Sequence, residues 1–180
     1  LLGLLAALKL KAGDTDSAAE LYRLGVAKFP YDEQWRKLLA RAYLTAGDNA
    51  RLEPVLQELA LLDADDLTMR KKLAQLALAA GDFNEAARWA RDGLFIDVQD
   101  ADVHRMLAEA RRGQRRPADA AREYGVAVRL APDEPSLRVA WAESLVEAKL
   151  LDEARGVVDD LAAKFPDHPE LARLRETVNP

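Results

Sequence analysis

The sequence of 180 residues contains no cysteine. That absence removes disulfide staples, thiolate metal sites and thiol nucleophiles at once, and it leaves the redox compartment unread. There are two histidines, His104 and His168. The helical pattern places the first on a helix face and the second in a terminal loop, and both read as surface histidines rather than ligands or bases. Aromatic residues make up 6% of the chain, and they do not interleave with basic residues as stacking on single-stranded nucleic acid requires. The net charge of -5 argues against a general nucleic-acid binder, whose affinity rests on many phosphate-neutralising cations. No apolar run is long enough for a membrane span, and no targeting segment is present. The opening LLGLLAALKLKAGD has the apolar content of a secretory segment, but it lacks a basic start and a small-residue cleavage site. HExxH, a glycine-rich phosphate loop and a nucleophile, base and acid set are all missing. Adjacent carboxylates such as Asp159 and Asp160 point in different directions on a helix, which does not suit acid and base work on one substrate. The chain is therefore expected to be no enzyme and to need no cofactor or metal. Its compartment stays unassigned.

What is present is a repeat. Steps of 34 residues from Ala6 meet Ala40, Ala74, Ala108 and Ala142. One place earlier the same step meets Leu5, Leu39, Leu73, Leu107 and Trp141, and a third column holds Ala18, Leu52, Ala86, Ala120 and Ala154. Small side chains let two helices approach closely, and the large apolar column fills the space beside that contact. Ala-Gly-Asp recurs at Ala12, Ala46 and Ala80, and proline recurs at Pro30, Pro132 and Pro166. Glycine can take the left-handed conformation that ends one helix, and the following aspartate can accept hydrogen bonds from the free N–H groups that open the next. Proline then closes the second helix. Self-similarity at this period, with helical apolar spacing inside each unit, is the mark of a stacked solenoid.

The pattern resembles the tetratricopeptide repeat family, on Gly81, Asp82, Glu85 and Ala86 with Asp119 and Ala120 or Glu153 and Ala154 as counterparts. The resemblance implies an all-α, right-handed α-solenoid of stacked antiparallel helix pairs, helix A then helix B, in a single domain over 1–180. Its units are placed at about 1–32, 33–66, 67–100, 101–134 and 135–168, with a capping helix over 169–178. The sequence departs from the family where a large aromatic early in helix A is displaced. Trp35, Met69, Val103 and Leu137 stand one place before Arg36, Arg70, His104 and Arg138.

Two irregularities stand out. Pro54 falls inside helix B of the second unit and predicts a helix that starts late or bends. In the fourth unit RRGQRR, Arg111 to Arg116, replaces Ala-Gly-Asp, so Gly113 is expected to end helix A early and Pro117 to open helix B. The arginines read either as a basic knob for an acidic partner, phosphate or nucleic acid or as a solvated turn that meets Asp119 and Glu123.

Helix A packs through one stripe, so the opposite stripe faces the concave surface that solenoids offer to partners. Candidate peptide-binding residues are Lys37, Leu38, Arg41 and Leu44 in the second unit and Lys71, Lys72, Gln75 and Leu78 in the third. The fourth adds Arg105, Met106 and Arg112. The stripe is basic early and acidic late, which suits an acidic protein or peptide. Some members of the family grip a C-terminal carboxylate with Lys, Arg and Asn on helix A, and here Gln75 stands with no Asn in that stripe. Against a binding role, Asp32 with Arg36, Glu33 with Lys37, Asp66 with Arg70, Asp100 with His104 and Glu134 with Arg138 are spaced i to i+4, acid first, and could serve helix stability alone.

The first helix carries Leu1, Leu2, Leu4, Leu5, Leu8 and Leu10, apolar nearly all round. That predicts a covered helix, a chain that is the C-terminal part of something longer, and self-association where the cover is missing. The alternative to a peptide-binding scaffold is thus a structural arm that packs against an upstream domain of the same polypeptide.

Overall fold

A computed structural model describes residues 1–179. Among them are eleven helices and no strand: α1 (Leu2–Lys11), α2 (Thr15–Lys28), α3 (Glu33–Ala46), α4 (Asn49–Leu62), α5 (Leu67–Ala80), α6 (Phe83–Ile96), α7 (Ala101–Gly113), α8 (Pro117–Leu130), α9 (Pro135–Glu147), α10 (Leu151–Lys164) and α11 (Leu171–Val178). Odd-numbered helices are helix A of each repeat and even-numbered ones helix B. The chain forms two compact units, Leu1–Met69 and the residues from Arg70 onward, with the boundary inside α5.

The Ala-Gly-Asp turn behaves as its chemistry dictates. Gly13, Gly47 and Gly81 are left-handed, with φ of 81°, 69° and 74°. The Asp48 and Asp82 amides then reach back to the carbonyls of Tyr43 and Ala77 at 3.0 and 2.9 Å, which satisfies acceptors that the helix end leaves free. The side chains of Asp14, Asp48 and Asp82 accept from the amides of Ser17, Arg51 and Glu85 at 3.2, 2.9 and 3.0 Å.

RRGQRR builds the same turn from other residues. Gly113 is the last residue of α7 and not its left-handed stop. Arg115, one period after Gly81, takes that role at φ 59°, and Lys149 repeats it at φ 62°. The backbone closure is retained, Arg116 to Arg111 and Leu150 to Leu145, each at 2.9 Å. Gly113 serves packing instead, because a Cβ there would lie 2.3 Å from the Phe83 ring. Pro117 is the first residue of α8, as its position predicts. Pro54 has less effect than expected on the helix start: α4 begins at Asn49 behind the Asp48 cap and runs through Pro54 to Leu62. The missing amide costs one bond to Ala50, and burial of Leu52, Leu56 and Leu59 offsets it.

The repeat columns become the core. Ala6, Ala40, Ala74, Ala108 and Ala142 are buried, as are Ala18, Leu52, Ala86, Ala120 and Ala154. Where a column holds tryptophan, the facing helix answers with glycine. A Cβ on Gly25 of α2 would lie 2.0 Å from the Trp35 ring of α3, and one on Gly125 of α8 would lie 3.1 Å from Trp141 of α9.

The column Arg36, Arg70, His104 and Arg138 corrects two expectations. Its members do not form i to i+4 pairs where their partners are seen, and His104 is buried rather than a surface group. Arg36 donates to the Pro30 carbonyl at 2.6 Å and to Glu58 of α4 at 3.0 Å. Arg138, 1% exposed, does the same to Pro132 at 2.6 Å and Asp160 of α10 at 2.7 Å. His104 sets its Nε2 3.0 Å from the Val98 carbonyl and its Nδ1 2.7 Å from Glu123 of α8. Each of these side chains directs its polar groups to a carbonyl of the preceding loop and an acid of helix B rather than to its i-4 neighbour. Two of the bypassed acids act as caps, Asp32 accepting from the Gln34 amide and Asp100 from Val103. Glu33 and Lys37 do pair as spaced, at 3.3 Å.

The Gly25–Trp35 contact gives a direct test. Gly25→Ala is expected to cost about 1–3 kcal/mol through overpacking, although alanine is the better helix former by about 1 kcal/mol. In a Trp35→Leu background, which installs the side chain found at Leu137, the same substitution should become neutral or stabilising. Urea unfolding of the four proteins measures the coupling, and additive effects would exclude the contact.

Candidate functional site

The candidate residues fall in both compact units. In the first, α3 presents Leu38 half-buried, Arg41 exposed and Leu44 at 53% exposure. Lys37 is held by Glu33. Arg41 makes no ion pair among the described residues, and only its backbone carbonyl is engaged, by the Thr45 hydroxyl at 2.8 Å.

In the second unit the helix A stripes of α5, α7, α9 and α11 are joined by ion pairs that run from one helix A to the next. Lys71 meets Asp100 and Asp102 at 2.9 Å each. Arg105 lies 2.6 Å from Glu109 and 3.6 Å from Asp102. Arg112 bonds Glu147 at 2.6 Å and Glu143 at 3.1 Å, and Arg173 of α11 reaches Glu143 at 2.6 Å. The basic early and acidic late halves of this stripe therefore neutralise each other. Lys72 of α5 is half-buried without an ion pair among the described residues, while Gln75 is exposed and Leu78 half-buried. Met106 was expected at the surface, but it is 1% exposed. It belongs to the packed side of α7, because 3.6 residues per turn carry it toward Val103 and Ala110 and away from Arg105.

The electrostatics follow from these contacts. Burial alone would lower the Lys71 ammonium's pKa, and its bonds to Asp102 and Asp100 outweigh this and raise it. The Asp102 carboxyl is lowered, first by the Lys71 hydrogen bond. Arg112 is raised, first by its bond to Glu147. Burial pushes the Tyr124 phenol of α8 up to about 12, with the Glu109 charge adding to it. Among the described residues no three histidine, cysteine or carboxylate side chains converge to hold a metal ion, and no helix is long and apolar enough to cross a membrane.

The arginines of RRGQRR divide. Arg111 donates to Gln114 at 3.0 Å and Arg116 pairs with Asp119, while Arg115 is exposed at the turn. The partner carboxylates Asp102, Glu143 and Glu147 were not singled out as partners from the sequence. Their signal was legible, since each acid stands 31 or 35 positions after its cation, about one repeat.

Comparison with known proteins places these features in a family. One sequence profile described as Tetratricopeptide repeat matches residues 111–177, and another of the same description matches residues 1–42. The fold is similar to the crystal structure of MamA protein, with TM-score 0.79 at 16% identity over 96% of this chain and 92% of that one. It is similar to TTC0263, a thermophilic TPR protein in Thermus thermophilus, with TM-score 0.60 at 19% identity over 99% and 98%. Pseudomonas aeruginosa pilF gives TM-score 0.66 at 17% identity over 99% and 86%. No curated protein matches the sequence.

The ladder predicts an acid-sensitive stability. Asp102 has a depressed folded-state pKa, so its contribution is present above the unfolded value, about 4, and is lost as pH falls through the folded one. Lys71→Met should reduce stability at about pH 7 by about 0.5–1 kcal/mol, and the gap to the parent should close as pH falls toward about 3. Urea midpoints across that range measure it, and a constant gap would count against the pair.

Proposed function

The chain belongs to the tetratricopeptide repeat family, and from that premise we propose that the helix A face of each compact unit binds an acidic segment of a protein. Membership of the family supports reading it as a protein-interaction module. The residues of contact are the finer step. One observation carries them: Arg41 and Lys72 are the cations of the candidate stripes that no carboxylate of the described chain holds. An uncompensated, accessible cation beside an apolar side chain can steer and hold an acidic, partly apolar peptide. Leu38 and Leu44 supply the apolar side for Arg41, and Leu78 supplies it for Lys72. Lys37, Lys71, Arg105 and Arg112 hold the scaffold's own acids in place and contribute less to a guest. Met106 lies beneath the surface and supports packing.

A second reading, a structural arm that packs against a further domain, draws on the exposed leucines of α1. The two readings use different faces and are compatible.

Fluorescence anisotropy with labelled peptides of alternating Glu and Leu tests the first reading. Arg41→Glu should weaken binding at the first unit's face and Lys72→Glu binding at the second unit's, each about tenfold, near 1.4 kcal/mol. Raising salt from about 50 to about 500 mM should weaken the parent's binding as screening shortens. Arg115→Glu with Arg116→Glu should leave it unchanged. Loss with the Arg115 and Arg116 variant alone would move the site to that turn.

A further inference from the structure

The B helices of the second unit repeat an acid and arginine pair that the last of them does not complete. In α6, Glu85 accepts from Nε of Arg88 at 3.1 Å and from its Nη2 at 2.5 Å, and the guanidinium lies 3.8 Å from the centre of the Trp89 ring. One period on, in α8, Asp119 pairs with Arg122. A further period on, α10 keeps the acid as Glu153 and has Gly156 in the arginine's column. Glu153 is exposed and makes no hydrogen bond or ion pair among the described residues.

Glycine inside a helix is among the least stable choices, so its presence there calls for a packing or contact reason. Gly25, Gly113 and Gly125 each have one, since an aromatic ring stands against them. Gly156 does not. It is exposed in the middle of α10, and a Cβ added to it would meet nothing within 4 Å. It opens instead onto a hollow of about 460 Å³ that Trp141, Glu153, Val157 and Asp160 also line. Trp141 of α9 is half-buried and stands in the column that holds Leu39, Leu73 and Leu107. Asp160 is already engaged, by Arg138 at 2.7 Å and by Lys164 at 3.2 Å. Glu153 is therefore the acid left for a guest.

An indole, a free carboxylate and a gap beside a glycine thus meet at one place. The guest they fit can be read from α6, where the equivalent acid and an indole hold a guanidinium between them. A planar, delocalised cation suits an aromatic face, and its fork of N–H donors suits a carboxylate. We propose that this hollow takes the guanidinium of a surface arginine on a partner protein. The guanidinium lies on Trp141 and donates to Glu153, so that the partner supplies in trans the arginine that α6 and α8 carry themselves. Gly156 lets the stem of that arginine approach α10 closely. The site uses α10 and the packed side of α9, and it is independent of the contacts proposed for Arg41 and Lys72.

The probes are fluorescein-labelled, acetylated and amidated peptides of alternating Arg and Leu, alternating Lys and Leu, and alternating Gln and Leu. Anisotropy with the full chain should show saturable binding of the Arg peptide below about 1 mM, weaker binding of the Lys peptide and none of the Gln peptide. Gly156→Arg, which installs the residue of Arg88 and Arg122, should fill the hollow and weaken the Arg peptide at least about tenfold. Its urea midpoint should stay level or rise, because arginine is the better helix former. If that variant folds poorly, Trp141→Leu, the residue of Leu73 and Leu107, carries the test with the same expected loss. Arg41→Ala with Lys72→Ala should leave the Arg peptide unaffected, so failure at one site is separable from failure at the other. Absence of saturable binding overturns the proposal. So does binding that survives Gly156→Arg and Trp141→Leu, or a Lys peptide that binds as tightly, since either would reflect attraction to an acidic surface alone. A dimer in sedimentation velocity that Gly156→Arg converts to monomer would assign the hollow to an arginine of a second copy and overturn the partner.

Discussion

The close crossing of helix A and helix B at an unbroken alanine column is the constraint on which the rest depends. A side chain larger than alanine at Ala74 or Ala108 would separate the two helices and expose the leucines beside them. Because each crossing is close, the turn that joins the pair must be short and must reverse the chain at a fixed residue. That residue has to be left-handed, which is why Gly13, Gly47 and Gly81 recur. Arg115 and Lys149 accept the same conformation at some cost, since moving the turn would move every buried column after it. Close crossings also leave no room for two large groups on facing helices, and glycine opposite Trp35 and Trp141 resolves the conflict.

The repeat that stacks the helices also stacks their charges. Equivalent positions on successive A helices of the second unit lie within reach of each other, so a cation on one helix finds an acid on the next. Lys71 and Arg112 reach α7 and α9 in this way. Compensation of this kind lowers the field that the stripe offers to a guest and makes position, rather than the number of cations, the measure of binding capacity. It also gives the scaffold a register: a sliding of one repeat against its neighbour would separate these pairs.

His104 shows how a repeat tolerates substitution while keeping geometry. Arg36 and Arg138 of the same column each donate to a loop carbonyl and a helix B acid. The imidazole reaches the same two kinds of acceptor through its two ring nitrogens. Glu123 replaces the acid used elsewhere because a shorter side chain needs a partner nearer the helix B start.

The fold was legible because it rests on local rules that recur along the chain. Period, alanine column, glycine turn, aspartate cap and closing proline each follow from backbone sterics and small side-chain volume, and they fixed the helix order and the buried columns without knowledge of any contact. The candidate site was legible only as a stripe. Which cations stay available depended on partners about a repeat away, and the sequence alone favoured nearer i to i+4 partners that Arg36, His104 and Arg138 do not use. Met106 was misplaced for a related reason, because a helical face narrows to a buried or exposed side only when the neighbouring helix is in position. Helix, turn and periodicity are set by short-range geometry that the sequence carries at each residue. Pairing and exposure are set by distances between helices, and those exist only once the chain has folded.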